Sequence, residues 1–243
     1  MATNKPGGLK NGAPRAKARD SRGRNTLAAI AWPLKYRRIL ITAGPTWVAL
    51  DKVRVISNIA TGESGFILAQ VFRKLGAKVT LVLGPGIFFN AEKGIKVLRF
   101  KYFNELEIIL KKELRRNKYS AVIHTAAVAD YQPDKIIMDK VSSGLANWKI
   151  TLVPTKKLIN SLKKHRQDIF AVGFKFEPEA TKDKLIKRAK MLLKQANLDL
   201  VVANTDKQRG YQAYIINRSK EYGPFLNKLH MAAYLAKLLS EGL

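Results

Sequence analysis

The chain has 243 residues, 47% of them hydrophobic, and no apolar run approaches the roughly 18 residues that cross a bilayer, so it reads as one soluble globular domain plus a tail. It contains no cysteine, which excludes disulfides, thiolate metal sites and a cysteine nucleophile and fits a reducing cytoplasm. Its net charge of +27, from 45 Lys and Arg against 18 Asp and Glu, leaves two readings open: anionic partners such as nucleic acid or phosphorylated small molecules, or a basic solvated surface.

Residues 1–36 stand apart. They are rich in Gly, Pro, Lys, Arg and Asn, with Asp20 the one acid, and hold too few apolar side chains to offset the entropy of ordering. The expectation is a disordered basic arm with weak, nonspecific RNA contact at most. No apolar segment follows the early lysines, so a secretory signal is excluded, and Pro and Gly spoil an amphipathic transit helix.

From Arg38 onward, strand-like and helix-like segments alternate. Residues 38–44 form a short apolar run ending in glycine, the pattern of a buried parallel strand. Gly65, Leu68, Ala69, Phe72 and Leu75 then repeat at helical spacing. Residues 77–84 and 96–100 read as strands, and Leu106, Ile109, Leu110 and Leu114 mark the next helix. Residues 121–129 give a fourth strand, running into a proline-containing loop. Residues 148–153 are expected as a strand, Leu158, Ile159 and Leu162 as a short helix, and 169–174 as a buried strand. A long basic helix follows, with Leu185, Ile186, Ala189, Leu192 and Leu193 inward. Strands at 198–203 and 211–216 and a helix carrying Leu229, Ala232, Ala236 and Leu239 complete the chain. Such alternation predicts an α/β fold: a Rossmann-like, doubly wound, mostly parallel sheet with helices on both faces.

The turn after the first strand, Ile41 to Thr46, lies where open α/β sheets bind ligands. The dinucleotide fingerprint is missing, because Pro45 follows Gly44 and a loop of about 17 residues runs to Gly62. Thr61 is expected to cap the next helix and leave amide donors for an anion. A plainer alternative is that Asp51 and Arg54 pair with each other and Asn58 shapes a turn.

Three segments together, Ile41-Thr-Ala-Gly-Pro-Thr46, Asp51-x-Val-Arg54-x-Ile-Ser-Asn58 and Thr61-Gly62-x-x-Gly65, resemble the opening of bacterial phosphopantothenate–cysteine ligases. Ala126-Ala-Val-Ala-Asp130-Tyr131, Lys140, Leu152-Val-Pro154, Val172-Gly-Phe174 and Asp199-Leu-Val-Val-Ala-Asn204 continue the resemblance in order, covering about residues 37–243. The resemblance implies a ligase of coenzyme A biosynthesis. The carboxylate of 4′-phosphopantothenate attacks the α-phosphate of CTP, or ATP, and releases pyrophosphate. The amine of L-cysteine then attacks the acyl-nucleotide.

It also implies roles. Asn58 holds the acyl-nucleotide, with Arg54, Thr61 and Gly62 as further substrate contacts. Lys140 opens a cationic flap. Gly44, Thr46, Ala126, Asp130 and Phe174 contact the nucleotide, and Lys156, Lys157, Leu158 and Ile159 run beside it. The family's phosphate-binding lysines align with Leu192 and Ala196, so Lys190 and Lys194, one turn apart, are expected to take over. The flap reads Lys140-Val-Ser-Ser143, with one of three cations, and Glu63 stands where a lysine is frequent. Magnesium is implied on the triphosphate and flavin is not, the flavin-dependent decarboxylase being a separate protein. A cytoplasmic homodimer meeting through residues 131–148, which include Ile136, Ile137 and Met138, is expected.

Two rivals remain. Tyr131 and Lys135 imitate the Tyr-x-x-x-Lys pair of NAD(P)-dependent short-chain dehydrogenases, although Pro133 between them argues against the helix that pair needs. Lys182, Lys184, Lys187, Arg188, Lys190 and Lys194 form a nucleic-acid stripe of a non-catalytic binding protein, a solvated helix face, or a contact for substrate phosphates. His124 is expected as a satisfied core or edge residue.

Overall fold

The computed structural model describes residues 34–86, 93–207 and 210–243. The expected arm therefore falls almost wholly outside the described residues. Leu34, counted with the arm on sequence, is buried in the core.

The chain begins with β1 (Arg38–Ala43), then a hairpin of β2 (Trp47–Ala49) and β3 (Val55–Ser57), then α1 (Glu63–Lys74). Next come β4 (Lys78–Leu83), β5 (Ile95–Arg99), α2 (Phe103–Arg116) and β6 (Ala121–His124). A second hairpin, β7 (Tyr131–Pro133) and β8 (Leu152–Pro154), precedes a 3₁₀ turn at Leu158–Ser161 and the short α3 (Leu162–His165). β9 (Phe170–Phe176), α4 (Lys182–Gln195), β10 (Leu200–Lys207), β11 (Gly210–Ile216), β12 (Glu221–Phe225) and α5 (Lys228–Gly242) follow.

Eight strands form one sheet in the order β12-β11-β10-β9-β6-β1-β4-β5. The pairs from β5 across to β10 are parallel, while β10–β11 and β11–β12 are antiparallel. Strand alternation splits the core in two. Ile39, Ile41 and Ala43 face the layer holding α1 and α5, and Leu40 faces the layer of α2, α3 and α4. The expected doubly wound fold is the one observed.

Four local expectations change. The 17-residue loop contains the β2–β3 hairpin, paired from Trp47 with Ser57 to Ala49 with Val55. Of the expected 148–153 strand only Leu152 and Val153 pair, with Pro154 added, because the partner β7 is three residues long. The fourth strand ends at His124 rather than Ala129. β12 was unseen on sequence, since Gly223 and Pro224 read as breakers; as an edge strand it can spare the missing proline donor.

Helix α4 shows why this layering forms. Thr181 caps it by accepting the Lys184 N–H, and Leu185, Ile186, Ala189 and Leu193 recur at three- and four-residue steps. Each large member of that stripe contributes about 1.5–3 kcal/mol by leaving water. The basic side chains are thereby turned outward or to the flanks.

Candidate functional site

The site lies off the carboxyl ends of β1, β6 and β9, beside the point where successive crossovers leave β1 in opposite directions. β1 runs into Gly44, whose φ of 81° and 2.9 Å gap between a hypothetical Cβ and Pro85 O demand glycine. Thr46 is fully buried. Its N–H donates to Ala127 O (3.2 Å) and its Oγ1 accepts the Ala129 N–H (2.9 Å). Asn58 Nδ2 donates to Ala127 O (3.1 Å) and Val128 O (3.3 Å). The backbone of residues 126–130 is thus held from one side by the first loop.

Its other side opens into a cleft of about 290 Å³. Ala126, Val128 and Asp130 line it along this stretch, with His124 at the end of β6 and Phe174 and Lys175 on β9. Lys156, Lys157, Leu158 and Ile159 close a second wall. α4 supplies Arg188, Met191, Leu192 and Gln195, the spacing of one helix face. Of the nucleotide candidates, Ala126, Asp130, Lys156, Lys157, Leu158, Ile159 and Phe174 meet here.

Lys190 and Lys194 do not line the cleft. They border a shallow depression with Lys182, Lys187 and Glu221, and Lys190 pairs with Glu221 at 2.7 Å. The core stripe of α4 sets the helix rotation, and on that rotation Arg188, not either lysine, is the cation brought to the cleft. On sequence Arg188 counts only as one member of the basic stripe and Gln195 is missed, although both flank Leu192 at helical spacing.

Charge sits at the rim. Lys157 pairs with Asp130, and Lys175 with Glu177 at 3.0 Å; Lys156 lies 3.9 Å from Glu107. Burial pushes the imidazole of His124 down to about 4, so it is neutral at physiological pH.

The remaining candidates form a second cluster. Gly62 rather than Thr61 is the cap of α1, at φ 80°, while Thr61 Oγ1 still accepts the Glu63 N–H at 3.3 Å. Gly62 packs on Gly44, since a Cβ there would meet Gly44 N at 3.2 Å. Arg54 pairs with Asp51, donates to Val141 O at 3.2 Å and stacks on Trp148 at 5.3 Å. The plainer reading of Asp51 and Arg54 as a pair therefore matches the geometry. Lys140 is exposed on the segment between β7 and β8, next to Val141, and lines no part of the cleft.

Tyr131 lies in β7 rather than a helix, so the dehydrogenase pair with Lys135 is not assembled. Among the described residues no group of three or more His, Asp or Glu side chains is disposed to hold a metal, and no helix is long and apolar enough to cross a membrane.

Residues 34–241 match the family model described as the DNA/pantothenate metabolism flavoprotein C-terminal domain. The chain belongs to that family.

Within this pantothenate-metabolism family, the chain is 36% identical over 214 residues to the coenzyme A biosynthesis bifunctional protein CoaBC of Borreliella burgdorferi, covering 85% of this chain and 53% of that protein. It is 34% identical over 178 residues to the protein of the same name from Thermococcus kodakarensis, covering 73% and 43%. The chain spans about half the length of these curated relatives. The crystal structure of the C-terminal domain of CoaBC superposes with a TM-score of 0.72 at 26% identity, covering 87% of this chain and 98% of that one. The family match spans every residue of the cleft and the whole first loop.

Proposed function

We propose that this chain is a phosphopantothenate–cysteine ligase of coenzyme A biosynthesis that works through an acyl-nucleotide. The observation that carries the reading is the gathering of Ala126, Asp130, Phe174 and residues 156–159 in one cleft of a domain whose family and relatives are named for pantothenate and coenzyme A metabolism.

In this reading the triphosphate of CTP or ATP lies along the cationic rim, where Lys156, Lys157, Lys175 and Arg188 offset its charge. Magnesium arrives on the phosphates as part of the substrate: the one cleft carboxylate, Asp130, is already paired with Lys157. The pantothenate carboxylate attacks the α-phosphorus and pyrophosphate leaves. The cysteine amine then attacks the acyl carbon, nucleotide monophosphate leaves, and the ammonium proton passes to solvent. Asn58 is fixed against the Ala127 and Val128 carbonyls, beside the cleft wall, and serves the acyl-nucleotide junction. Lys140 approaches from the segment anchored at Val141, and Arg54, Thr61 and Gly62 border the pantothenate side. The product is the substrate of a flavin-dependent decarboxylation, and the setting is cytoplasmic.

A homodimer belongs to the same reading. Exposed large apolar side chains concentrate on the two small hairpins and their connecting segment, among them Ile56, Ile59, Ile136, Met138, Leu145 and Leu152. Such a patch is what a second copy would cover. A monomer by light scattering at working concentration would count against it.

The deciding assay is pyrophosphate release with CTP or ATP, 4′-phosphopantothenate and cysteine, omitting each in turn. Release should require both the nucleotide and the pantothenate, with amide formation requiring all three. No release with either nucleotide would overturn the assignment.

A further inference from the structure

His124 ends β6 and lines the cleft while only 5% of its surface is exposed. Its two ring nitrogens have different surroundings. Nδ1 lies 2.9 Å from Thr42 Oγ1. That hydroxyl is fully buried and already accepts the Ala126 N–H at 3.2 Å. Among the described residues its own proton finds an acceptor in His124 Nδ1. A buried hydroxyl proton left unspent costs the desolvation of that group, so the favoured arrangement has Thr42 donating and Nδ1 accepting. The ring proton then sits on Nε2.

Nε2 is not sealed in the core. The buried side-chain polar atoms without a partner, among the described residues, are Arg166 Nε and Tyr211 Oη. With Nδ1 engaged, Nε2–H is the polar atom of this ring that is open to the cleft.

We propose that His124 is a specificity-determining residue: its Nε2–H donates to an acceptor on the heterocyclic base of the bound nucleotide, which enters base first. This rests on the nucleotide reading of the cleft given above. The distribution of charge supports the orientation. Around His124 the cleft presents Ala126, Val128, Leu158 and Phe174, whereas Lys156 and Lys157 at the rim have side chains 83% and 57% exposed. A phosphate at the floor would lose its water for one uncharged donor and apolar walls. A base meets apolar faces and one donor, which suits it. The volume agrees: about 290 Å³ lies at the small end of ligand pockets, room for a nucleoside with its phosphates left outside. Because burial keeps the ring neutral, the donor does not also attract a phosphate.

The test uses the full chain labelled with ¹⁵N-histidine and long-range ¹H–¹⁵N correlation, His124 being distinguished from His165 and His230 by substitution. The expected result is an Nε2–H tautomer for His124 in the free protein and a shift of its Nε2 signal on adding CTP or ATP. His124→Ala should weaken nucleotide binding roughly five- to tenfold, His124→Gln should recover part of it through its amide donor, and phosphopantothenate binding should stay unchanged in both. An Nδ1–H tautomer, or nucleotide binding that leaves Nε2 unshifted and both variants at wild-type affinity, would overturn the assignment and leave the nucleotide reading standing. If the wild-type protein binds neither nucleotide, that reading fails and this one with it.

Discussion

The carboxylate of Asp51 accepts a hydrogen bond from the backbone N–H of Val141 at 3.1 Å, across 90 positions of chain. The same carboxylate takes the N–H groups of Val53 and Arg54, each at 2.8 Å, and pairs with the Arg54 guanidinium. It ties the turn of the first hairpin to the segment that carries Lys140.

That clasp makes a pH prediction. Burial pushes the Asp51 carboxyl up, but the N–H donors of Val53, Val141 and Arg54 and the Arg54 side chain outweigh it and hold it at about 2. The folded value lies below the unfolded one, so the stabilisation is full above the ordinary carboxylate range and is lost as pH falls from about 4 towards 2. Trp148, stacked on Arg54, should report this as a fluorescence change in that window. Asp51→Asn should abolish the transition and speed hydrogen exchange of the Val141 amide roughly tenfold at neutral pH. Unchanged exchange would mean the segment is held by something else.

Two glycines with different surroundings give a stability contrast. A Cβ on Gly65 would stand 2.5 Å from Ala43 Cβ and 2.9 Å from Thr125 Oγ1, forcing α1 off β1. Gly65→Ala should cost about 1–3 kcal/mol, read as a lower thermal midpoint. A Cβ on Gly144 would meet nothing nearer than Ser142 Oγ at 4.0 Å, so Gly144→Ala should leave the midpoint within error.

The two steps of the proposed reaction should separate by mutation. Asn58→Asp replaces a donor facing two carbonyls with a carboxylate that repels them and any acyl phosphate. Nucleotide-dependent pyrophosphate release should persist while amide formation falls roughly a hundredfold. Lys140→Gln should instead suppress pyrophosphate release. Rates measured for each partial reaction check both; normal turnover in the pair would show the roles to be misassigned.

The rotation of α4 predicts which of its cations matters. Arg188→Ala should weaken nucleotide binding roughly tenfold by titration calorimetry, a charge-assisted contact being lost. Lys190→Ala should change it less than about twofold, because it removes an exposed pair with Glu221 on another face. The reverse order would restore the lysine to the site.

The central parallel strands were legible because they are short apolar runs buried on both sides, as Ile39 to Ile41 and Val122 to Ile123 show. The hairpin at 47–57 and the strand at 131–133 were not, because three-residue strands carry too little periodicity to stand out from a loop. Much of the cleft was visible in Ala126, Asp130 and Phe174, which the resemblance selects. Lys190 falls outside the cleft because counting along a chain ignores which stripe of a helix the core claims.

The pattern of residues determined by itself that this chain is α/β, with its candidate site at the ends of the first and fourth core strands. Burial of alternate side chains favours one arrangement there, whatever lies elsewhere. Tertiary structure alone decided that Asp51 reaches Val141, that Arg188 faces the cleft, and that Thr42 orients His124. Those contacts join residues tens of positions apart, through angles that exist only after the layers have packed.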